Sequence, residues 1–489
     1  MIAPALIWAV IAAFATLGCI IALRAWRRTT GTAGDYYLGG GRMGGVVAGL
    51  SYAATTYSAF MLVVLTGLTY RGGMGALGFE LIYFAGLGLL VIFAPRFWLA
   101  SRRWGFISPT EMVGARYGSP LVAKVMAGLS LLFLLPYCTT QMAGIGLLLS
   151  GVTGGQITLF QAVATGAVLA LFWALVAGLR SVAWTDAALS GVMFVSALLA
   201  VGFAVSYLGG WGAFIARAEA ENPEWLGVPG PGLWSLPTFL ALSFPWFFFV
   251  LSNPQVSQRL FILRDFAAMR TMILWVLGFG FVFTLVSVLW GFAALQIAPG
   301  LENTSMATPA LLGSGAVPVW VALLLILGIL SAAISTLDSI ALTVGAMVAR
   351  DVVGKSGGDG AQILAGRIVM VIVILFASFF ALEQAQIVDQ LAALSAAGLL
   401  VAVPPIVGAF FWRRGTAAGA LAGMTGGAAV AIWLALGQGM SVFNPVLPFS
   451  VAGASVVLFV AVSLLSRPRP GALDFQSELA DELARHRAW

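Results

Sequence analysis

The sequence predicts an all-α polytopic membrane protein of about thirteen transmembrane helices, N-terminus outside and C-terminus inside. Three observations carry this prediction. Hydrophobic residues make up 61% of the 489-residue chain and charged residues only 9%, where a soluble globular chain carries about 25% charge. Thirteen apolar runs reach or approach the ~20 residues that a helix needs to cross a bilayer. They lie at roughly 4–23, 46–70, 76–98, 122–149, 157–178, 182–207, 234–254, 271–297, 317–346, 363–384, 389–411, 417–437 and 446–466. Threading them alternately across the membrane leaves only Arg71 and Arg217 outside, so 24 − 2 = 22 of the 24 basic residues fall inside. That is the asymmetry expected of cytoplasmic loops.

Taken in order, the first run precedes the basic residues Arg24, Arg27 and Arg28. A cleaved signal peptide has the opposite order, positive charge first, so this span reads as a retained helix. The second run carries a polar patch from Ser51 to Ser58 in mid-span, with Gly67, Gly72 and Gly73 beyond it. Between Arg102 and Lys124, Ser108-Pro109-Thr110-Glu111 opens an amphipathic stretch and predicts an interfacial cytoplasmic helix. The segment from Glu219 to Pro231 reads as a short external cap. In the run at 234–254, Pro245 removes a backbone donor and clashes with the preceding turn. The two interrupted runs stand five spans apart, which points to two inverted halves of five helices with a site at the bilayer midplane. The tail from Arg467 to Trp489 predicts a short cytoplasmic surface helix.

The composition also excludes chemistry. His486 is the single histidine, and Cys19 and Cys138 both lie in apolar runs, so neither imidazole catalysis nor a disulfide framework is expected. No nucleophile–base pair, phosphate loop or basic–aromatic nucleic-acid stripe is present. The chemistry is instead in Gly328 to Ser339, inside the run at 317–346, where Ser335, Thr336 and Asp338 occupy neighbouring turns. Two readings stand at this point. The hydroxyls can bond back to carbonyls of their own helix. Alternatively, Ser335, Thr336 and the Ala332 carbonyl can offer hard oxygens to a small alkali cation. Gln141 offers an uncharged amide that can bind a solute or bridge two helices. The near-exclusive use of Arg over Lys, with the Ala and Gly excess, suggests a GC-rich bacterial source.

In order and spacing, several motifs resemble the sodium/solute symporter family. They include Tyr37-Leu38-Gly39-Gly40-Gly41-Arg42, Gly67 with Tyr70 and Gly72-Gly73, and Pro109-Thr110-Glu111 with Ala115-Arg116-Tyr117. Further along are Gly178-Leu179-Arg180-Ser181 with Thr185-Asp186, Asn253-Pro254-Gln255 with Gln258-Arg259, Ser335-Thr336 with Asp338-Ser339, Arg350-Asp351, and Phe411-Trp412-Arg413-Arg414-Gly415-Thr416 with Gly419. The resemblance implies a LeuT-type core of two inverted five-helix repeats at about 44–209 and 234–437. Residues 1–43 and 438–466 would be additions to that core, and 467–489 the tail.

It further implies a Na⁺ site made by the Ala54 and Tyr57 carbonyls, the Ala332 carbonyl, and the Ser335 and Thr336 hydroxyls. Asp186 would contribute to ion coupling, or be satisfied by Arg180 or Arg259. Asp338 would support the ion path, or pair with an inside arginine. By position, Thr56, Tyr57, Ser58, Gln141, Trp246 and Phe249 would line the solute cavity. The chain departs from proline carriers, which have an acid where Thr56 stands, and from sugar members, whose polar grip is missing around Met61 and Leu62. Pro254-Gln255 stands where a Pro-His pair is common. The expectation is a Na⁺-coupled importer of a small organic solute, a monocarboxylate or amino acid rather than a sugar, in the bacterial inner membrane. Its partners would be the solute and the lipid bilayer, with no nucleic acid and no obligatory protein partner. A proton-driven transporter of the same fold, or a solute-sensing module with a separate signalling partner, are the alternatives.

Overall fold

The computed structural model describes residues 2–27, 29–384 and 387–486. Arg28, which closes the first basic cluster, and the tail residues Arg487 to Trp489 lie outside the described residues. Every regular element among the described residues is helical, with a lone bridge between Met43 and Leu263.

Each predicted span corresponds to a helix. In chain order these are α1 (Pro4–Trp26), α2 (Gly45–Thr56 and Phe60–Tyr70), α3 (Gly75–Trp104), α4 (Pro120–Val152), α5 (Leu159–Val176) and α6 (Gly178–Tyr207). The interrupted α7 is built from Leu236–Phe247, Phe249–Ser252 and Pro254–Gln258. The remainder are α8 (Phe266–Ile297), α9 (Val319–Val353), α10 (Lys355–Glu383), α11 (Val388–Phe411), α12 (Ala417–Gly437) and α13 (Val446–Leu465). Among the described residues eleven of these are long and apolar enough to cross a membrane, and α2 makes a twelfth when its two halves, bent by 44°, count as one span. The first helix of α7 is shorter than a span, because the chain breaks twice beyond it.

Local chemistry sets the boundaries. Thr158 and Gln161 form a capping box at the start of α5, satisfying two orphan N–H groups reciprocally. Asp265 caps α8 through the Ala268 N–H at 2.7 Å, and Thr416 caps α12. The turn between α5 and α6 passes through Gly178 at φ +59°, where a Cβ would lie 2.2 Å from the Tyr36 carbonyl oxygen. Pro245, from which the break in α7 was expected, stays inside the first α7 helix. The opening comes later. Phe248 closes onto the Pro245 carbonyl at 3.1 Å, and Asn253 is extended at φ −99°, ψ 105°. Asn253 precedes Pro254, and a residue before proline is pushed out of the α region.

α9 is the axis of the bundle. Every residue from Gly328 to Met347 is buried, with α6, α10, α4 and α2 packed around them. Five helices lie between Leu236 and Phe411, and α12 is a sixth before residue 437. α12 instead packs chiefly with α13. The segment expected as an interfacial amphipathic helix forms as Pro109–Arg116, with Ser108 accepting from the Glu111 N–H at 3.1 Å. It is not amphipathic. Both its Thr110/Val113 and its Met112/Arg116 sides are buried, because Thr110 donates to Asp351 and Arg116 donates to the Ala409 carbonyl. The tail helix Phe475–Arg485 docks Phe475 on Trp104 and Phe410.

Helices α3 and α7 approach closely at Gly86, where a Cβ would lie 2.1 Å from the Phe247 carbonyl oxygen. A backbone atom cannot rotate aside. Gly86→Ala is therefore expected to lower stability by about 1–3 kcal/mol, measured as the melting temperature of purified protein in detergent. Gly202→Ala, where a new Cβ meets nothing within 4 Å, should leave it unchanged or slightly raised.

Candidate functional site

The break in α2 determines the site's geometry. The helix from Gly45 ends at Thr56, and its last internal donor, the Tyr57 N–H, goes to the Ala53 carbonyl at 2.7 Å. The carbonyls of Ala54, Thr55 and Thr56 then face other helices, and each meets a hydroxyl. Ser335 donates to Ala54 at 2.9 Å, Thr336 to Thr55 at 3.2 Å, and Tyr83 to Thr56 at 3.4 Å. The Ser335 and Thr336 hydroxyls also lie 3.0 Å from the Ala332 carbonyl of their own helix. Both sequence readings of the pair are thus present at once, back-bonding and reaching across. A hydroxyl has one proton and two lone pairs. When the proton turns to the helix's own carbonyl, lone pairs face the break. Ala54, Ala332, Ser335 and Thr336 then present neutral hard oxygens, which suit an alkali cation. Tyr57 leaves the helix at φ −94°, ψ 76°, its ring packed on Tyr83, Phe279 and Phe283. Any contribution it makes to an ion is through its backbone.

Directly beside this pair lies a buried charged network. Arg259 pairs with Asp186 at 2.9 Å, the two side chains only 1% and 2% exposed. Ser51 of α2 donates to Asp186 at 2.7 Å, and Arg259 also reaches Ser51 and Ser339. Ser339 donates to the Ser335 carbonyl and lies 3.1 Å from Thr55. The chain from Asp186 to the Ser335 turn is therefore continuous through α6, the turn at Arg259 that follows α7, α2 and α9. Of the two arginines offered to Asp186 by sequence, Arg259 takes it and Arg180 pairs with Asp35 at 2.6 Å. Asp338 is buried, with Ser339 at 3.4 Å and its Oδ2 without a hydrogen-bond partner.

The residues proposed to line a solute cavity also come together. Trp246 and Phe249 stack 5.4 Å apart at 3° between planes, and Phe60 lies 4.8 Å from Trp246. Tyr83 and Tyr137 sit edge-on to this slab. They tie it to the break in α2, since Tyr83 meets the Thr56 carbonyl and Tyr137 the Ser58 hydroxyl at 3.2 Å. Thr56 Oγ1 and both amide atoms of Gln141, one turn along α4 from Tyr137, are buried without partners. Ser51, Thr55, Ser339 and Glu80 are site residues absent from the sequence-derived set. Ser51 and Thr55 lie in the polar patch and Ser339 in the motif that follows Ser335, but nothing in one dimension sets them apart from their neighbours there. Glu80 is different, since an acid inside an apolar run is itself a signal.

Comparison with known proteins bears on the family and the fold. The family model of the sodium:solute symporter family matches residues 36–427. The high-affinity proline transporter PutP of Bacillus subtilis is 24% identical over 480 residues, covering 95% of this chain and all of that protein. The uncharacterized symporter YodF of the same organism is 23% identical, covering 81% of this chain and 80% of that one. Among solved structures, a Na⁺-coupled sialic acid symporter superposes with a TM-score of 0.79 at 18% identity, over 95% of this chain and 99% of that one. Mhp1, a nucleobase-cation-symport-1 family transporter, gives 0.59 at 16% identity over 90% and 97%. The architecture is that of the LeuT-fold transporters.

Removing one member of the buried ion pair leaves the other charged and unpaired. Arg259→Met is expected to cost about 3–5 kcal/mol of stability. The double variant Arg259→Met/Asp186→Leu should recover most of that loss, read as the midpoint of thermal unfolding.

Proposed function

This chain belongs to the sodium:solute symporter family, and from that premise we propose that it couples inward Na⁺ movement to the uptake of a small organic solute. It is a multi-pass bacterial membrane transporter and not an enzyme. The observation that carries the sodium reading is the convergence of Ser335 and Thr336 with the Ala54 and Thr55 carbonyls across two helices from different halves of the bundle. A cation held there is bonded by both halves simultaneously. Alternating access then consists of rocking one half against the other around the ion, with both ends of the bundle able to close. At the end expected outside, Arg71 of α2 pairs with Asp389 of α11 at 3.0 Å. At the end expected inside, Arg102 donates to the Gly41, Leu263 and Arg264 carbonyls.

Coupling follows from shared backbone. In this reading Ala54 and Tyr57 hold the ion, while Thr56 and Ser58, at the same break, meet Tyr83 of α3 and Tyr137 of α4. An ion that fixes the segment lowers the ordering cost of binding solute, and the benefit is reciprocal. The membrane potential supplies roughly 2.3 kcal/mol per charge per 100 mV. For the solute, the aromatic slab with a few unpaired polar atoms suits a small, partly apolar molecule. Two relatives named as proline transporters favour an amino acid over a monocarboxylate, although Thr56 is not the acid that proline carriers have there.

The test is the thermal stability of purified protein in sodium chloride and in potassium chloride at equal ionic strength. A ligand bound only by the folded state adds RT ln(1 + [L]/Kd). The expected result is a Na⁺-specific rise of several degrees that Ser335→Ala/Thr336→Ala loses. An equal response to both salts, up to sodium concentrations well above millimolar, would replace sodium with a proton as the coupling ion. Asp338, with its unpartnered Oδ2, would then be the group to vary.

A further inference from the structure

The end of the bundle expected inside carries a cavity that shares no residue with the ion or solute groups. It has a volume of about 460 Å³ and opens between the segment ahead of α2, the end of α3, the start of α6 and the end of α9. Each of these four elements gives one arginine to the wall: Arg42, Arg102, Arg180 and Arg350. Asp35 is the one acid lining it, and that carboxylate is taken up by Arg180 at 2.6 Å and the Thr30 N–H at 2.7 Å. Arg350 has Glu111 at 3.6 Å, an acid that Lys355 also approaches at 3.8 Å. Arg102 reaches only carbonyls and the Trp98 ring. Among the described residues Arg42 has no partner. The Nε groups of Arg180 and Arg350 are buried without a hydrogen-bond partner. Buried donors that lack an acceptor are rare, and each calls for an explanation such as a water, an ion or a ligand.

We propose that this cavity binds a phosphate-bearing anion at the cytoplasmic membrane surface. An excess of arginine is ordinary on the inside of a membrane protein, but that tendency sets only how many lie on this side. It does not bring four of them, from four separate elements, onto one concave wall with a single acid. A guanidinium is a planar, weakly hydrated fork that takes phosphate oxygens two at a time. Arg180 is neutralised by Asp35 and Arg350 shares Glu111, so Arg42 and Arg102 are left as two positive charges with no acid. The Thr30 and Thr32 hydroxyls, 3.3 Å apart on the same wall, can donate to further oxygens. A phosphate held by Arg42, Arg102 and Arg350 ties the segment ahead of α2 and the end of α3 to the end of α9. Those elements belong to different halves of the bundle, so the bound anion favours a closed inside end. The headgroup of an acidic phospholipid and free phosphate present the same oxygens to this wall.

The test uses the full chain purified in detergent and stripped of lipid, over a fixed background of sodium chloride. Its melting temperature is titrated with potassium phosphate against potassium chloride at equal ionic strength. It is also titrated with micelles carrying phosphatidylglycerol against micelles carrying phosphatidylcholine, whose choline offsets its phosphate. The expected result is a saturable rise with phosphatidylglycerol, phosphate or both, and none with phosphatidylcholine or chloride. A rise with phosphatidylglycerol alone assigns the site to a lipid headgroup, and a rise with phosphate assigns it to a small anion entering from the cytoplasm. Arg42→Gln, which removes an exposed side chain with no partner, should melt as the wild type does without the anion. Its apparent affinity should be weaker by roughly tenfold or more, and Arg42→Gln/Arg102→Gln should lose the response. Arg270→Gln, an exposed arginine at the same end but outside the cavity, should respond as the wild type does. Absence of any rise would overturn the proposal, as would an equal rise with phosphatidylcholine. An affinity unchanged in Arg42→Gln, or weakened as much in Arg270→Gln, would overturn it too.

Discussion

Inside a bilayer no water is at hand to satisfy a peptide carbonyl, so a helix that stops at mid-membrane must find donors elsewhere. α2 stops at Thr56. Its three released carbonyls, at Ala54, Thr55 and Thr56, require hydroxyls from α9 and α3 at fixed heights, supplied by Ser335, Thr336 and Tyr83. This requirement accounts for a pair of adjacent hydroxyls on a helix that is buried from Gly328 to Met347. It also accounts for the register of α9 against α2, since a one-residue shift would leave both sets unsatisfied. The interaction that closes the structure and the one that would hold an ion use the same atoms.

The network behind the pair extends that constraint. Asp186, Arg259, Ser51 and Ser339 are too deep to be solvated, and each is satisfied by another. Such a set stabilises little in net terms, but it fixes α2, α6, α7 and α9 in one register around the site. The solute side is built differently. Around Trp246 and Phe249 the packing is aromatic, and the polar groups at Thr56, Gln141, Ser243 and Glu80 are left without partners. One side of the break is a completed polar network; the other has polar capacity in reserve.

Much of this was legible in one dimension. The thirteen runs, the first helix among them, and the two breaks follow from hydropathy, charge asymmetry and the polar patch at Ser51–Ser58. Ser335 and Thr336 could be selected because two hydroxyls beside an acid are conspicuous in an apolar run. What was not legible depends on three-dimensional partners. Pro245 signals a break, yet the helix runs through it and opens at Phe248 and at Asn253, where the Asn253–Pro254 step forces extended backbone. The stretch opened by Ser108-Pro109-Thr110-Glu111 reads as amphipathic, but the charge of Arg116 is buried against the Ala409 carbonyl of α11 and the Trp412 and Arg413 carbonyls after it. Which helices pack together is not marked either, and nothing in the sequence of α12 assigns it to α13. Glu80 was readable in principle. Only the absence of any partner around it makes it informative.

The central claim, that the atoms closing the break in α2 are also an ion site, is tested most directly by binding of radioactive sodium to the purified protein. The account predicts saturable binding that is displaced by unlabelled Na⁺ and not by K⁺. It should be abolished by Ser335→Ala/Thr336→Ala and retained in Glu80→Gln. Sodium binding that survives loss of both hydroxyls would contradict it.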